Sequence, residues 1–197
     1  VMFTDMRGPG IERFEAGVLS VKAGVTVQQL LSYCMENGLS GLEFIVGMPA
    51  TVGGLVAMNA GFKGESMERV TREVFRCGEM ILEARLTVTP ADKAQVRETI
   101  RKNIEYRKAH QEWGVPTLGC VFRNPDHELS AGAMIDQCGL KGLMRNGARI
   151  SHKHANFIVN DGGAVSDDVI YLIETMREKV RNRFGVELEE EIVRVGC

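Results

Sequence analysis

Apolar positions along this chain recur with two different periods, and the switches between them mark out its elements. Val18 to Ala23 (VLSVKA) and Ile81 to Thr89 (ILEARLTVT) cluster or alternate apolar side chains as half-buried strands do. Val1 to Met6 has the same character, with Gly8, Pro9 and Gly10 forming a turn after it. Thr26 to Asn37 (TVQQLLSYCMEN) changes to helical spacing, with Thr26 in N-cap position and Gly38 just past the end. Pro90 opens a charged helical run, Ala91 to about Lys108, with no boundary before Gly114 and Pro116. That run is expected to connect two domains.

The second half repeats the mixture. A strand is expected at Cys120 to Arg123, a helix over AGAMIDQCG (131–139), and strands at Ala148 to Ile150 and Ala155 to Val159. Val165 to Phe184 is amphipathic: Val169, Leu172, Ile173, Met176 and Val180 share one stripe. Ser166 is the expected N-cap, ahead of Asp167 and Asp168 in the first turn. Val186 to Val195 is expected to be a last strand. Strands and helices without regular βα alternation predict an α+β fold.

Composition narrows the function. A formal net charge of −2 gives no electrostatic reason for a nucleic-acid partner, and no apolar run is long enough to span a membrane. The cysteines at 34, 77, 120, 138 and 197 are odd in number and never spaced as CxxC. That spacing argues against a disulfide framework or a zinc site and for a reducing compartment, so a cytoplasmic protein is expected. A monomer is expected as well.

One stretch, Gly47 to Gly61 (GMPATVGGLVAMNAG), fits neither a core helix nor a linker. Its glycines would each cost roughly 1 kcal/mol inside a helix, yet Met48, Val52, Leu55, Val56 and Met58 are too apolar for a free tether. Converging amides without Cβ atoms can cradle phosphate oxygens or admit a flat ring. Glycines also serve tight turns and close packing, and the spacing is neither GxGxxG nor GxxxxGK[ST]. The bare pattern stops at close approach to this backbone.

The segment GLEFIVGMPATVGGLVAMNAG (41–61) resembles the flavin-binding segment of the UDP-N-acetylenolpyruvoylglucosamine reductases, flavoenzymes of bacterial cell-wall synthesis. GCVFRNP (119–125), AGAMIDQCGLKGLMRNGARISHKHANFIVN (131–160) and FGVELEEEIVRVG (184–196) follow in the family's order and are similar to the shorter of its two types. The resemblance implies a partial FAD-binding domain with its connecting helix over 1–106 and a substrate-binding domain over 107–197. It implies that Gly47, Pro49, Thr51, Val52, Gly53 and Gly54, with Asn59, Ala60 and Gly61, face FAD. The implied reaction uses NADPH and a nucleotide-sugar substrate: hydride reaches the β-carbon of an enolpyruvyl ether, and the α-carbon takes a proton. A positioned acid is then needed, with donors or cations near the carboxylate.

By the same resemblance Cys120 stands where relatives carry a proton-donating serine. A thiol, with a pKa of about 8.5, is a stronger acid than an alcohol, so the substitution keeps the role. Glu191 matches the family's catalytic glutamate; alternation alone puts Glu189 and Glu191 on one face and cannot choose between them. Asn124 and Arg123 are expected to contact substrate, although Arg123 also fits a surface position. SHKHANF (151–157) puts His152 and His154 on one strand face. Two histidines make a weak metal site, so no metal is expected, and His154 and Asn156 are candidates for substrate orientation or for structure. Two features of the family find no counterpart: a GGxSN loop expected before Val1, and a Tyr-Arg element where FKGESMERVTREVF (62–75) stands. The chain is therefore expected to be partial, and neither Arg69 nor Arg72 is assigned the carboxylate. The alternatives are a nucleotide-sugar binding fragment without flavin chemistry, or another oxidoreductase on the same flavin-binding fold.

Overall fold

Strand Val18–Lys22 has a partner on each edge, and Leu19 and Val21 are buried in the core packed on the sheet. Ile11–Glu15 pairs with it antiparallel on one side and Met80–Thr87 on the other, with Leu19 opposite Leu86. Thr71–Cys77 completes the four-stranded antiparallel sheet beyond Met80–Thr87. This computed structural model describes residues 10–195, so the strand expected over Val1 to Met6 lies outside the described residues. Gly8 and Pro9 of the expected turn, and Cys197, lie outside them too.

On the sheet, Ala84 and Leu86 turn into the core while Arg85 between them takes the other face. There its guanidinium stacks between the rings of Phe14 (3.6 Å) and Phe75 (4.7 Å) and pairs with Glu73. Helix Val27–Asn37 lays Val27, Leu30, Leu31 and Cys34 into the same core. Thr26 and Gln29 close a capping box at its start, and Gly38 ends it at φ 62, where only glycine sits without strain.

Two expected boundaries move. The strand from Ile81 stops at Thr87, and Thr89–Pro90 pairs instead with Leu39–Ser40. Pro90 therefore does not open the following helix, Lys93–His110. Asp92 does: its Oδ1 accepts the amides of Ala94 (2.8 Å) and Gln95 (3.1 Å), satisfying first-turn donors that proline could not.

The chain divides into two units, Val1–Tyr106 and Arg107–Cys197, each with a core of its own. The second unit holds an antiparallel sheet ordered Met144–Arg145, Ala148–Ile150, Phe157–Asn160, Thr117–Cys120. Helices Ala131–Gln137 and Ser166–Phe184 bury Met134, Ile135, Leu172, Ile173, Met176 and Val180 in its core. The cap of the long helix is Val165 rather than Ser166, because Asp168 reaches back to accept the Val165 amide at 3.1 Å.

Three strand expectations in this unit are corrected. The strand expected at Cys120 to Arg123 is Thr117–Cys120, and the one at Ala155 to Val159 is Phe157–Asn160. The strand expected over Val186 to Val195 reduces to one antiparallel bridge, Glu190 opposite Phe122. Past it, Val193 and Val195 are exposed and find no strand to join among the described residues. The whole is α+β. No helix among the described residues is long and apolar enough to cross a membrane.

Candidate active site

In the first unit, the glycine segment folds back onto the end of the central strand. The amides of Val52 and Gly53 donate to the carbonyls of Val25 (2.8 Å) and Ala23 (2.9 Å), which starts helix Val52–Ala57. Several of the glycines have reasons inside the chain. A Cβ on Gly53 would lie 2.9 Å from the Ala23 Cβ, and one on Gly61 would lie 2.7 Å from the Glu65 carbonyl oxygen. Gly47 has φ 79. Asn59 also takes a left-handed conformation (φ 45), held by its side chain, which accepts the Glu68 amide at 2.8 Å.

Gly54 is different. It is exposed, its φ is not positive, and the nearest described atom to an added Cβ would be the Thr51 Oγ1 at 3.9 Å. Nothing described in the chain demands a glycine there. Thr51, the N-cap, makes no side-chain cap bond to the first-turn amides. Gly47, Pro49 and Gly54 are exposed, and at Gly54 no described side chain crowds the backbone, which fits a dinucleotide's phosphates and ring.

In the second unit, the residues after Thr117–Cys120 run between two partners. On one edge the Glu191 amide donates to the Val121 carbonyl (2.8 Å) and the Arg123 amide to the Glu189 carbonyl (2.9 Å). This short pairing brings Glu191 to Cys120. The thiol is half-buried and pushed up to about 11, first by burial and then by the charge of Glu191; an Asn156 hydrogen bond and the Arg107 charge oppose the rise. The Glu191 carboxyl is itself raised, by burial, with Arg123 pulling the other way. Cys120 is therefore an acid that keeps its proton at neutral pH beside a carboxylate held in low polarity.

The acidic run sorts itself by side. Glu190 pairs with Arg177 and, at 2.7 Å, with Arg194. Glu187 lies near Arg177 and Arg181, and Glu189 is exposed. Glu191 is the carboxylate of this run that acts on the thiol.

The remaining candidates divide. Arg123 is exposed and acts on Glu191 by charge. Asn124 is exposed, and its Oδ1 accepts the Ala131 amide at 3.1 Å, tying the start of helix Ala131–Gln137 to the GCVFRNP loop. His152 and His154 do not share a strand face. Residues 151–156 form a turn, closed where Ser151 Oγ accepts the amides of Lys153 and His154, both at 3.0 Å. His154 is half-buried against the Phe157 ring, its pKa lowered by burial and by Lys141, so it is neutral at pH 7. His152 is exposed, and no cluster among the described residues could hold a metal ion.

Two residues of this corner were hard to see in the sequence. Arg107 sits in a charged run but is only 7% exposed, and its charge reaches Cys120. The helical spacing Val96, Ile100, Ile104, Arg107 carried the signal, because it continues the buried stripe by one more turn. Asn156, a candidate for orientation or structure only through its place in the motif, is 2% exposed.

Residues 1–85 match the FAD binding domain, and residues 108–195 match the UDP-N-acetylenolpyruvoylglucosamine reductase C-terminal domain. A UDP-N-acetylenolpyruvoylglucosamine reductase of Alkalilimnicola ehrlichii is 39% identical over 93% of this chain and 70% of its own. One of Anoxybacillus flavithermus is 35% identical over 90% of this chain and 68% of its own. The crystal structure of UDP-N-acetylenolpyruvylglucosamine reductase from Thermus caldophilus superposes with a TM-score of 0.73 at 33% identity, covering 88% of this chain and 71% of that one. An FAD binding domain joined to a reductase C-terminal domain of this kind defines a flavin-dependent oxidoreductase. The chain belongs to the UDP-N-acetylenolpyruvoylglucosamine reductase family, whose place is peptidoglycan synthesis.

Proposed function

We propose that this protein is a cytoplasmic, NADPH-dependent flavoenzyme that reduces UDP-N-acetylglucosamine enolpyruvate to UDP-N-acetylmuramate. The observation that carries this is the corner in which backbone bonds from Val121 to Glu191 hold a protonated thiol beside a desolvated carboxylate. Family membership supports the reaction class, and the crowding-free backbone at Gly54 supports FAD.

FAD is assigned to Gly47, Pro49, Thr51, Val52, Gly53, Gly54, Asn59, Ala60 and Gly61. When bound, the flavin supplies a hydride, drawn from NADPH, to the β-carbon of the enolpyruvyl double bond. The protein's own part is the proton. Cys120 holds it at Sγ and gives it to the α-carbon, so one hydride and one proton saturate the double bond and a thiolate remains. The Arg107 guanidinium offsets that new charge, while Glu191 makes it unfavourable enough that Cys120 is protonated again before the next turnover. Arg123 and Asn124 take the substrate's polar groups, and neutral His154 orients the nucleotide sugar by hydrogen bonding rather than by charge.

The test is a two-step spectral experiment on the protein loaded with FAD. NADPH is expected to bleach the visible absorbance, and the enolpyruvyl nucleotide sugar to restore it with loss of the substrate's double bond. Bleaching without restoration would leave a flavoprotein acting on another acceptor. No bleaching would overturn the NADPH assignment.

A further inference from the structure

We infer that Asn156 is a positioning residue for the Cys120–Glu191 pair, acting from the core by standing in for a peptide group of the sheet. The inference rests on the functional reading above, and three sets of contacts carry it. Sheet pairing of Thr117–Cys120 with Phe157–Asn160 ends with Cys120 opposite Phe157. One residue further on, the Val121 amide still finds the Asn156 carbonyl at 2.9 Å. Beyond that the neighbouring backbone turns away, into the 151–156 turn.

Phe122 is 1% exposed, and its peptide groups on this edge would be stranded there. The Asn156 side chain supplies both partners. Its Oδ1 accepts the Phe122 amide at 3.0 Å, and its Nδ2 donates to the Phe122 carbonyl at 2.8 Å. An amide side chain carries one acceptor and two hydrogens in fixed geometry, so it continues a ladder as a peptide would. On the opposite edge the same stretch pairs with residues 189–191. Holding Phe122 in place therefore also holds the carbonyl of Val121 that receives Glu191.

Asn156 also favours the Cys120 thiolate, as the Arg107 charge does, against burial and the charge of Glu191. Being buried, it acts through Cys120 and Glu191, not on the substrate.

The experiment needs no turnover. In the native chain labelled with ¹⁵N at asparagine, the Asn156 side-chain hydrogen bonded to the Phe122 carbonyl is expected to be protected from exchange. Asn156→Asp preserves volume but replaces the donor with a carboxylate. It should slow iodoacetamide alkylation of Cys120 about tenfold at fixed pH, read by peptide mass spectrometry, with Cys138 in the same unit unchanged. If Asn156→Asp does not fold, the native spectrum decides alone. An Asn156 side-chain amide that exchanges freely in the native chain, or a folded Asn156→Asp with native alkylation at Cys120, would overturn the inference. Neither result depends on whether Cys120 is the proton donor, which is settled separately by kinetics.

Discussion

Glu190 and Glu191 are one peptide apart and stand on opposite sides of the chain. Glu190 is held by Arg177 and Arg194, and Glu191 lies in low polarity beside Cys120. Their substitutions should therefore separate stability from activity. Glu190→Gln should lower stability by about 1–2 kcal/mol through weakened charged hydrogen bonds, with substrate reduction near the native rate. Glu191→Gln should do the reverse. Its raised pKa means that the folded chain pays to keep this group ionised at neutral pH, and that cost appears as pH rises through the folded pKa. A neutral amide should leave the melting temperature unchanged or higher while substrate reduction falls ~10²-fold or more. Thermal melts and turnover on the two variants check the pair. Alternation in ELEEEIVRV could place Glu189 and Glu191 on one face, but the choice depends on Val121 and Cys120, some seventy residues away in sequence. Local pattern cannot carry that information.

At the level of elements, the glycines of helix Val52–Ala57 have different causes, and two substitutions tell them apart. Gly53→Ala drives a Cβ against Ala23 and should destabilise the first unit. Gly54→Ala meets nothing closer than 3.9 Å among the described atoms and should gain up to about 1 kcal/mol of helix stability. If Gly54 is glycine for the sake of FAD, the same change weakens flavin binding, measured by quenching of flavin fluorescence on titration. Unchanged affinity would remove Gly54 from the cofactor's surroundings. Helices were legible where caps spelled them out, as at Thr26, Gln29 and Gly38. Strand Thr71–Cys77 was not, because half-buried and exposed side chains are mixed along both its faces, with a register shift inside it. The C-terminal strand was over-read for a related reason: extended, alternating residues need a free edge to pair with, and Phe122 offers them one bridge.

For the molecule as a whole, two thiols set an alkaline limit. Cys34 in the first core is pushed up to about 12 by burial and then by Glu43, and Cys120 to about 11. The unfolded chain releases these protons from about pH 9, near the ordinary thiol value, and the folded chain only later. Unfolding therefore releases protons across that window, and stability falls as pH rises, by roughly 1 kcal/mol per pH unit for each thiol. Cys34→Ala should flatten the fall in urea midpoint between about pH 9 and 11 relative to the native chain. An identical slope would mean the thiol opens to solvent before it ionises.

The claim that joins site, element and molecule is that the Cys120 thiol delivers the proton. Rapid mixing of the NADPH-reduced enzyme with the enolpyruvyl nucleotide sugar tests it most directly, by following the return of flavin absorbance in the native protein, Cys120→Ala and Cys120→Ser. Cys120→Ala should reduce with NADPH at the native rate and then return ~10²-fold or more slowly, with Cys120→Ser recovering much of the loss. Return of absorbance at the native rate in Cys120→Ala would contradict the account.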